Sequence, residues 1–162
     1  MDVEVVEREP MIVVGWQARF VPIMSPNANN SSVIGDLWTK TFQYDVVSKL
    51  PGSLGHPTWG VIWKPADSGE ELDYLAGVPF SSVPELPEGM SAREVPGGRF
   101  AKITHKGPLS GLKETIAGLH KWIEDNGYVE PANWHDLELY DERFFEPGPE
   151  QAFDYFASID AV

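Results

Sequence analysis

Two seven-residue stretches constrain the fold of this chain more than any other feature. Leu72-Asp73-Tyr74-Leu75-Ala76-Gly77-Val78 and Phe153-Asp154-Tyr155-Phe156-Ala157-Ser158-Ile159 share one order: apolar, Asp, Tyr, apolar, Ala, small, aliphatic. They stand 81 residues apart in a chain of 162. The segments leading to each read strand, helix, strand, strand. Self-similarity at a fixed period marks a repeated supersecondary unit. The expectation is one α+β domain, 1–162, built from two duplicated half-modules at about 1–80 and 90–162, with a linker at about 79–89. Such halves pack about a pseudo-twofold axis, and the groove between them is the natural ligand cleft.

The elements follow from periodicity. Val3 to Phe20 is rich in β-branched residues and reads as extended, with a break or bulge at Glu9-Pro10. Pro22 to Asn30 reads as a loop. Ile34, Leu37, Trp38, Phe42, Val46 and Leu50 recur at steps of three and four, which predicts an amphipathic helix of roughly 17 residues, capped by Ser31 or Ser32 and ended by Pro51-Gly52. Trp59 to Trp63 and Leu72 to Val78 read as strands around a turn at 64–69. Met90 to Val95 and Arg99 to His105 are extended about Pro96-Gly97-Gly98. Leu112, Ile116, Leu119, Trp122 and Ile123 mark a second helix, closed by Asn126-Gly127. A strand at Asp136 to Phe144, a turn at Glu146 to Pro149 and a strand from Phe153 finish the chain.

The segment Trp134 to Phe144 carries the most chemistry. Leu137 and Leu139 alternate with Glu138 and Tyr140, the period of a strand with two unlike faces. The leucines are expected on the helix-covered core, which sends Glu138 and Tyr140 to the opposite face. A carboxylate among aromatic rings suits a cation of delocalised charge. A solvated strand face is the plainer explanation of the same alternation. Candidates to share a cavity with Glu138 are Tyr140, Tyr74, Trp16, Trp38, Trp59, Trp63 and Trp134. Trp38 sits on the helix stripe, which suits core packing and cleft lining alike. Trp59 and Trp63 share a strand face and are expected to line one wall. Trp122 is assigned to the core. His135 falls on the face opposite Glu138, so the two form no acid–base pair; His105 is expected near the approach to the second helix.

Charge and composition narrow the chemistry. With 25 acids against 12 bases the net charge is −13, which argues against a nucleic-acid partner and favours cationic ligands. There is no cysteine, which excludes disulfides and thiol catalysis. The four histidines show no metal-ligand spacing, and no P-loop or Gly-x-Ser-x-Gly elbow is present, so neither metal nor cofactor is expected. No signal peptide or membrane span is read, and a cytoplasmic location is expected.

The chain resembles the GyrI-like small-molecule-binding domains, which include effector-binding domains of AraC-type and multidrug-sensing regulators. The resemblance rests on Asp73 to Val78, Leu86-Pro87-Glu88-Gly89-Met90, Val95 to Ala101, His105-Lys106-Gly107-Pro108, Trp122 to Tyr128 and Glu138 to Phe144. It is least distinct over residues 20–60. It implies tandem strand-helix-strand-strand units with a cleft between them, and Glu138 in that cleft facing cationic or aromatic ligands. In regulators such a domain follows a helix-turn-helix region; none is read here, so the chain is expected not to be a DNA-binding switch. Some stand-alone relatives act on DNA gyrase and some have been assigned hydrolase activity, and neither role follows from the shared motifs.

Three functions suit these residues. The first is a stand-alone module binding small cationic or aromatic organic ligands, as a monomer or weak dimer. The second is a hydrolase with Glu138 as general acid or base and Tyr140 or Tyr74 orienting the reactant. The third is a protein-binding, gyrase-modulator-like factor whose acidic surface meets a basic partner.

Overall fold

The computed structural model describes residues 2–145 and 151–161, and the turn expected at Glu146 to Pro149 lies outside the described residues. Among the described residues, ten strands and four helices follow in order. They are β1 (Glu4–Arg8), β2 (Met11–Phe20), α1 (Asn30–Tyr44), α2 (Val46–Lys49), β3 (Thr58–Trp63), β4 (Leu72–Phe80), β5 (Ser91–Val95) and β6 (Gly98–Lys106). A 3-10 turn (Leu109–Gly111) then leads into α3 (Leu112–Asp125), β7 (Tyr128–Val129), β8 (Asp136–Tyr140), α4 (Glu142–Phe145), β9 (Ala152–Ser158) and β10 (Asp160–Ala161). Eight strands form one antiparallel sheet in the order β1-β6-β9-β8-β3-β4-β2-β5; β7 and β10 pair separately.

The sheet reads alike from both ends, because β2-α1-β3-β4 and β6-α3-β8-β9 are the same unit run twice. The middle strands of the sheet, β3 and β8, pair antiparallel, with Val61 opposite Leu137, Gly60 opposite Glu138 and Ile62 opposite Asp136. Tyr74 on β4 lies opposite Ile62, and Tyr155 on β9 lies opposite Glu138. The short strand that opens each half pairs with the other half: β1 with β6 and β5 with β2.

Those exchanged strands force the sheet to roll. β1 is one edge and β2 lies next to the other, six spacings away or about 29 Å if the sheet were flat. Only Glu9 and Pro10 join them, and such a link spans at most about 11 Å. β5 and β6 are joined across the same gap by Pro96 and Gly97. A Cβ on Gly97 would fall 2.8 Å from the Arg8 carbonyl oxygen and from Pro10, so the two links touch. Among the described residues the inside of the roll is filled chiefly by strand side chains, including Val61, Leu75, Leu137, Trp59, Phe100 and Phe156. The outside carries α1 and α3, which pack on Tyr74, Ala76, Ile103 and Tyr155.

This arrangement reverses the expected faces of β8. Leu137 is 1% exposed inside the roll, whereas Glu138 and Tyr140 lie on the helix-covered face. Several element boundaries also differ. The first helix begins at Asn30, behind Asn29 rather than Ser31 or Ser32, and breaks at Asp45, whose φ of 58° is left-handed. The strand at 136 stops at Tyr140, where α4 takes over. β4 runs on through Pro79 and Phe80, so the crossover between halves begins at Ser81.

Candidate ligand-binding site

α1 rests on β2 and β4 and α3 on β6, which leaves the outer face of β3 and β8 under a groove between the helices. The stripe of α1 is therefore only partly covered. Leu37 and Val46, the latter on α2, are buried against the sheet; Ile34 and Trp38 are half-buried, and Phe42 is 50% exposed. Ile34, Trp38 and Phe42 line a cavity of about 280 Å³ with Leu112, Tyr140 and Phe144, and Glu138 is its only ionisable carboxylate among the described residues. A second cavity of about 240 Å³ adjoins it, sharing Ile23, Asn30, Ile34, Leu112 and Glu138 and adding Ile116, His120, Glu130, Trp134, Asp136 and Tyr155. Among the described residues, neither cavity is lined by Lys or Arg.

Glu138 is 4% exposed on the floor of this groove. Its Oε1 accepts the Tyr74 hydroxyl at 2.5 Å and the Tyr140 hydroxyl at 2.9 Å. The Trp38 indole Nε1 donates to the Tyr74 oxygen at 3.0 Å, extending the chain to α1. Tyr140 reaches Glu138 because residues two apart on a strand share a face. Tyr74 reaches it from β4 by crossing β3 over Gly60, where a Cβ would sit 2.1 Å from the phenol oxygen and 2.8 Å from Glu138 Oε1. Burial raises the Glu138 carboxyl above its ordinary range, and the two phenol donors pull it back. Burial and the neighbouring carboxylate push Tyr74 and Tyr140 well up, so both remain neutral donors.

Asp136, two residues earlier on the same face, is 6% exposed and lines the second cavity. Its Oδ2 accepts the Tyr155 hydroxyl at 2.6 Å, and its Oδ1 has no hydrogen-bond partner. Burial pushes it up to about 7; the Tyr155 bond lowers it, while Glu130 and Glu138 repel its charge. The sequence carries the signal for Asp136, which shares the strand parity of Glu138 and Tyr140 one step beyond the alternation of Leu137 and Leu139 with them.

The structure thus brings Glu138, Tyr140, Tyr74 and Trp38 into one contact network and sets Trp134 on the adjoining cavity. Three expected lining residues lie elsewhere. Trp59 and Trp63 point into the roll, because their parity on β3 is that of Val61 and not of Gly60. Trp59 lies under the Arg8 guanidinium at 4.6 Å, and Trp63 is covered by Arg93 at 4.2 Å and stacks on His135. Trp16 is on the helix side but packs edge-on against Tyr44, beyond α1 from the groove. His105 donates from Nε2 to the Pro108 carbonyl and contacts Thr115, tying β6 to the start of α3. Among the described residues no cluster of three or more His, Cys, Asp or Glu is placed to hold a metal, and no helix is long and apolar enough to cross a membrane.

Comparison with known proteins places this geometry. The description "GyrI-like small molecule binding domain" matches residues 1–154. The transcriptional regulator BrlR of Pseudomonas aeruginosa is 25% identical over 162 residues, 98% of this chain; the chain spans about half, 56%, of that protein's length. Among solved structures, SAV2435 bound to tetraphenylphosphonium is similar with a TM-score of 0.74 at 12% identity, covering 99% of this chain and 94% of that one. The C-terminal domain of EcmrR is similar with a TM-score of 0.72 at 19% identity, covering 99% and 98%. At such identities the structural likeness establishes the fold.

Proposed function

The chain belongs to the GyrI-like small-molecule-binding domain family, and from that premise we propose that its groove between α1 and α3 holds aromatic organic cations, with Glu138 as the charge that selects them. The observation that carries this is a carboxylate on the floor of an apolar, aromatic cavity whose partners are neutral phenols. Burying a carboxylate without a counter-charge is costly. Two hydrogen bonds offset part of that cost, and a bound cation supplies the rest. Trp38, Tyr140 and Phe144 cluster at the groove, where aromatic ring faces attract a delocalised positive charge and the rings exclude water. The chemistry of tetraphenylphosphonium, bound by a protein of the same fold, agrees with this choice of ligand.

The test is calorimetric titration with tetraphenylphosphonium and with triphenylphosphine oxide, a neutral compound of similar rings. Glu138→Gln keeps the shape and both phenol contacts but removes the charge. The expected loss for the cation is about 1–3 kcal/mol, one to two decades in Kd, with little change for the neutral compound. Equal weakening of both ligands overturns the role of the carboxylate. Turnover of a neutral ester that is abolished by Glu138→Gln, with binding intact, would replace it with a hydrolytic one.

A further inference from the structure

Asp136 does not serve the cavity where Glu138, Trp38 and Tyr140 meet. It lines the adjoining one, with Tyr155, Trp134 and Ile116. It is a carboxylate 6% exposed whose Oδ1 lacks any hydrogen-bond donor, whereas Oδ2 is held by Tyr155. The position opposite it on β3 is the apolar Ile62. The charged or titratable groups facing it are Tyr155 from β9, Glu138 on its own strand, Glu130 from the segment before β8 and His120 from α3, none of which is a fixed cation. A protein that only needed to fill this space has no use for an ionisable group there. The related position on β3 is Gly60, so the feature is not imposed by the internal symmetry.

We propose that the second cavity is a second cationic subsite with Asp136 as its anion, so that the protein takes elongated aromatic dications across both cavities. This rests on the reading of the Glu138 groove as a cation site. The two carboxylates lie two residues apart on one face of β8, about 7 Å along the strand. A ligand with two positive ring nitrogens at that separation sets one charge against each carboxylate. The second contact then forms within an already bound molecule, at the high effective concentration that linked sites provide.

Three probes test this by calorimetry on the intact chain: N-benzylpyridinium as monocation, benzyl viologen as dication of matching separation, and a bis-pyridinium with a decamethylene spacer as dication of the wrong one. Benzyl viologen is expected to bind one-to-one and at least about tenfold tighter than the monocation, with the long-spacer compound gaining much less. In Asp136→Asn, which still accepts the Tyr155 hydroxyl, the advantage of benzyl viologen is expected to fall to about twofold. An undiminished advantage in Asp136→Asn, or equal gains for both spacers in the native chain, would mean that only the acidic field of the molecule favours dications, and overturns the subsite. The spacer comparison needs no variant, so it decides even if Asp136→Asn does not fold. Failure of the monocation to bind at all would instead strike at the Glu138 groove, while monocation binding without a dication advantage strikes only at Asp136.

Discussion

Asp136 and Glu138 share one strand face, and burial raises both carboxyls. In the unfolded chain Asp136 titrates near the ordinary value for a carboxyl, about 4, whereas in the fold it is pushed up to about 7 by burial. Between those values the native state holds more protons than the unfolded one, so stability is full below about pH 4 and declines as pH rises towards about 7. Asp136→Asn removes that decline. Urea unfolding at pH 5 and pH 8 should show the native chain losing about 2–3 kcal/mol more than the variant. Parallel losses would mean that Asp136 carries no such shift. For Glu138, whose carboxyl burial also raises, the proposed cation adds a second linkage, because it would favour the ionised carboxylate. With the carboxyl raised by burial, cation affinity should weaken as pH falls into its titration range, and Glu138→Gln should abolish that dependence.

Among the elements, β3 decides whether the site can form. Gly60 is the gap through which Tyr74 passes from β4 to Glu138 on β8. In Gly60→Ala the added methyl falls 2.1 Å from the phenol oxygen, far inside van der Waals contact, and presses on Glu138 Oε1, so the tyrosine must leave. The expected result is a loss of about 1–3 kcal/mol in stability and weaker binding of tetraphenylphosphonium than in Glu138→Gln. Cation affinity within twofold of the native chain would show that Tyr74 is not needed to hold the carboxylate. Much at this scale was legible in the sequence. Strands β4 and β9 announced themselves by their shared motif, and α3 by its stripe and its Asn126-Gly127 ending, where Gly127 adopts φ 76°. The break at Asp45 was not legible, because the apolar spacing of Val46 and Leu50 continues the helical period across it. The stripe of α1 suits core packing and cleft lining alike for a similar reason: periodicity marks an apolar face without saying what covers it.

The whole molecule explains why the faces of β8 and β3 are not those the local pattern predicts. Alternation separates Leu137 from Glu138, but which side the helices cover depends on β1 and β5 crossing to the far half and rolling the sheet. No local pattern records that exchange. Once rolled, the sheet has an interior that must be filled without helices, and Leu137, Val61 and the large rings take that place, leaving the carboxylates beneath α1 and α3. The two faces therefore divide the tryptophans by role, and substitution should separate them. Trp59 is 4% exposed inside the roll, 5.8 Å from Phe156 and beneath Arg8. Trp59→Ala should cost about 3–5 kcal/mol of stability, a large share of the roughly 5–15 kcal/mol of a typical domain. Tetraphenylphosphonium affinity of the folded fraction should change by less than about twofold, or 0.4 kcal/mol. Trp38→Ala should do the reverse, because Trp38 is half-buried on the groove side and its indole holds Tyr74. Its stability loss should be smaller and its loss of cation affinity larger, near a decade. Chemical denaturation and calorimetry on the same two variants decide the matter: if Trp59→Ala weakens the cation as much as Trp38→Ala does, the roll interior and the groove are not independent, and the assignment of the site to the helical face fails.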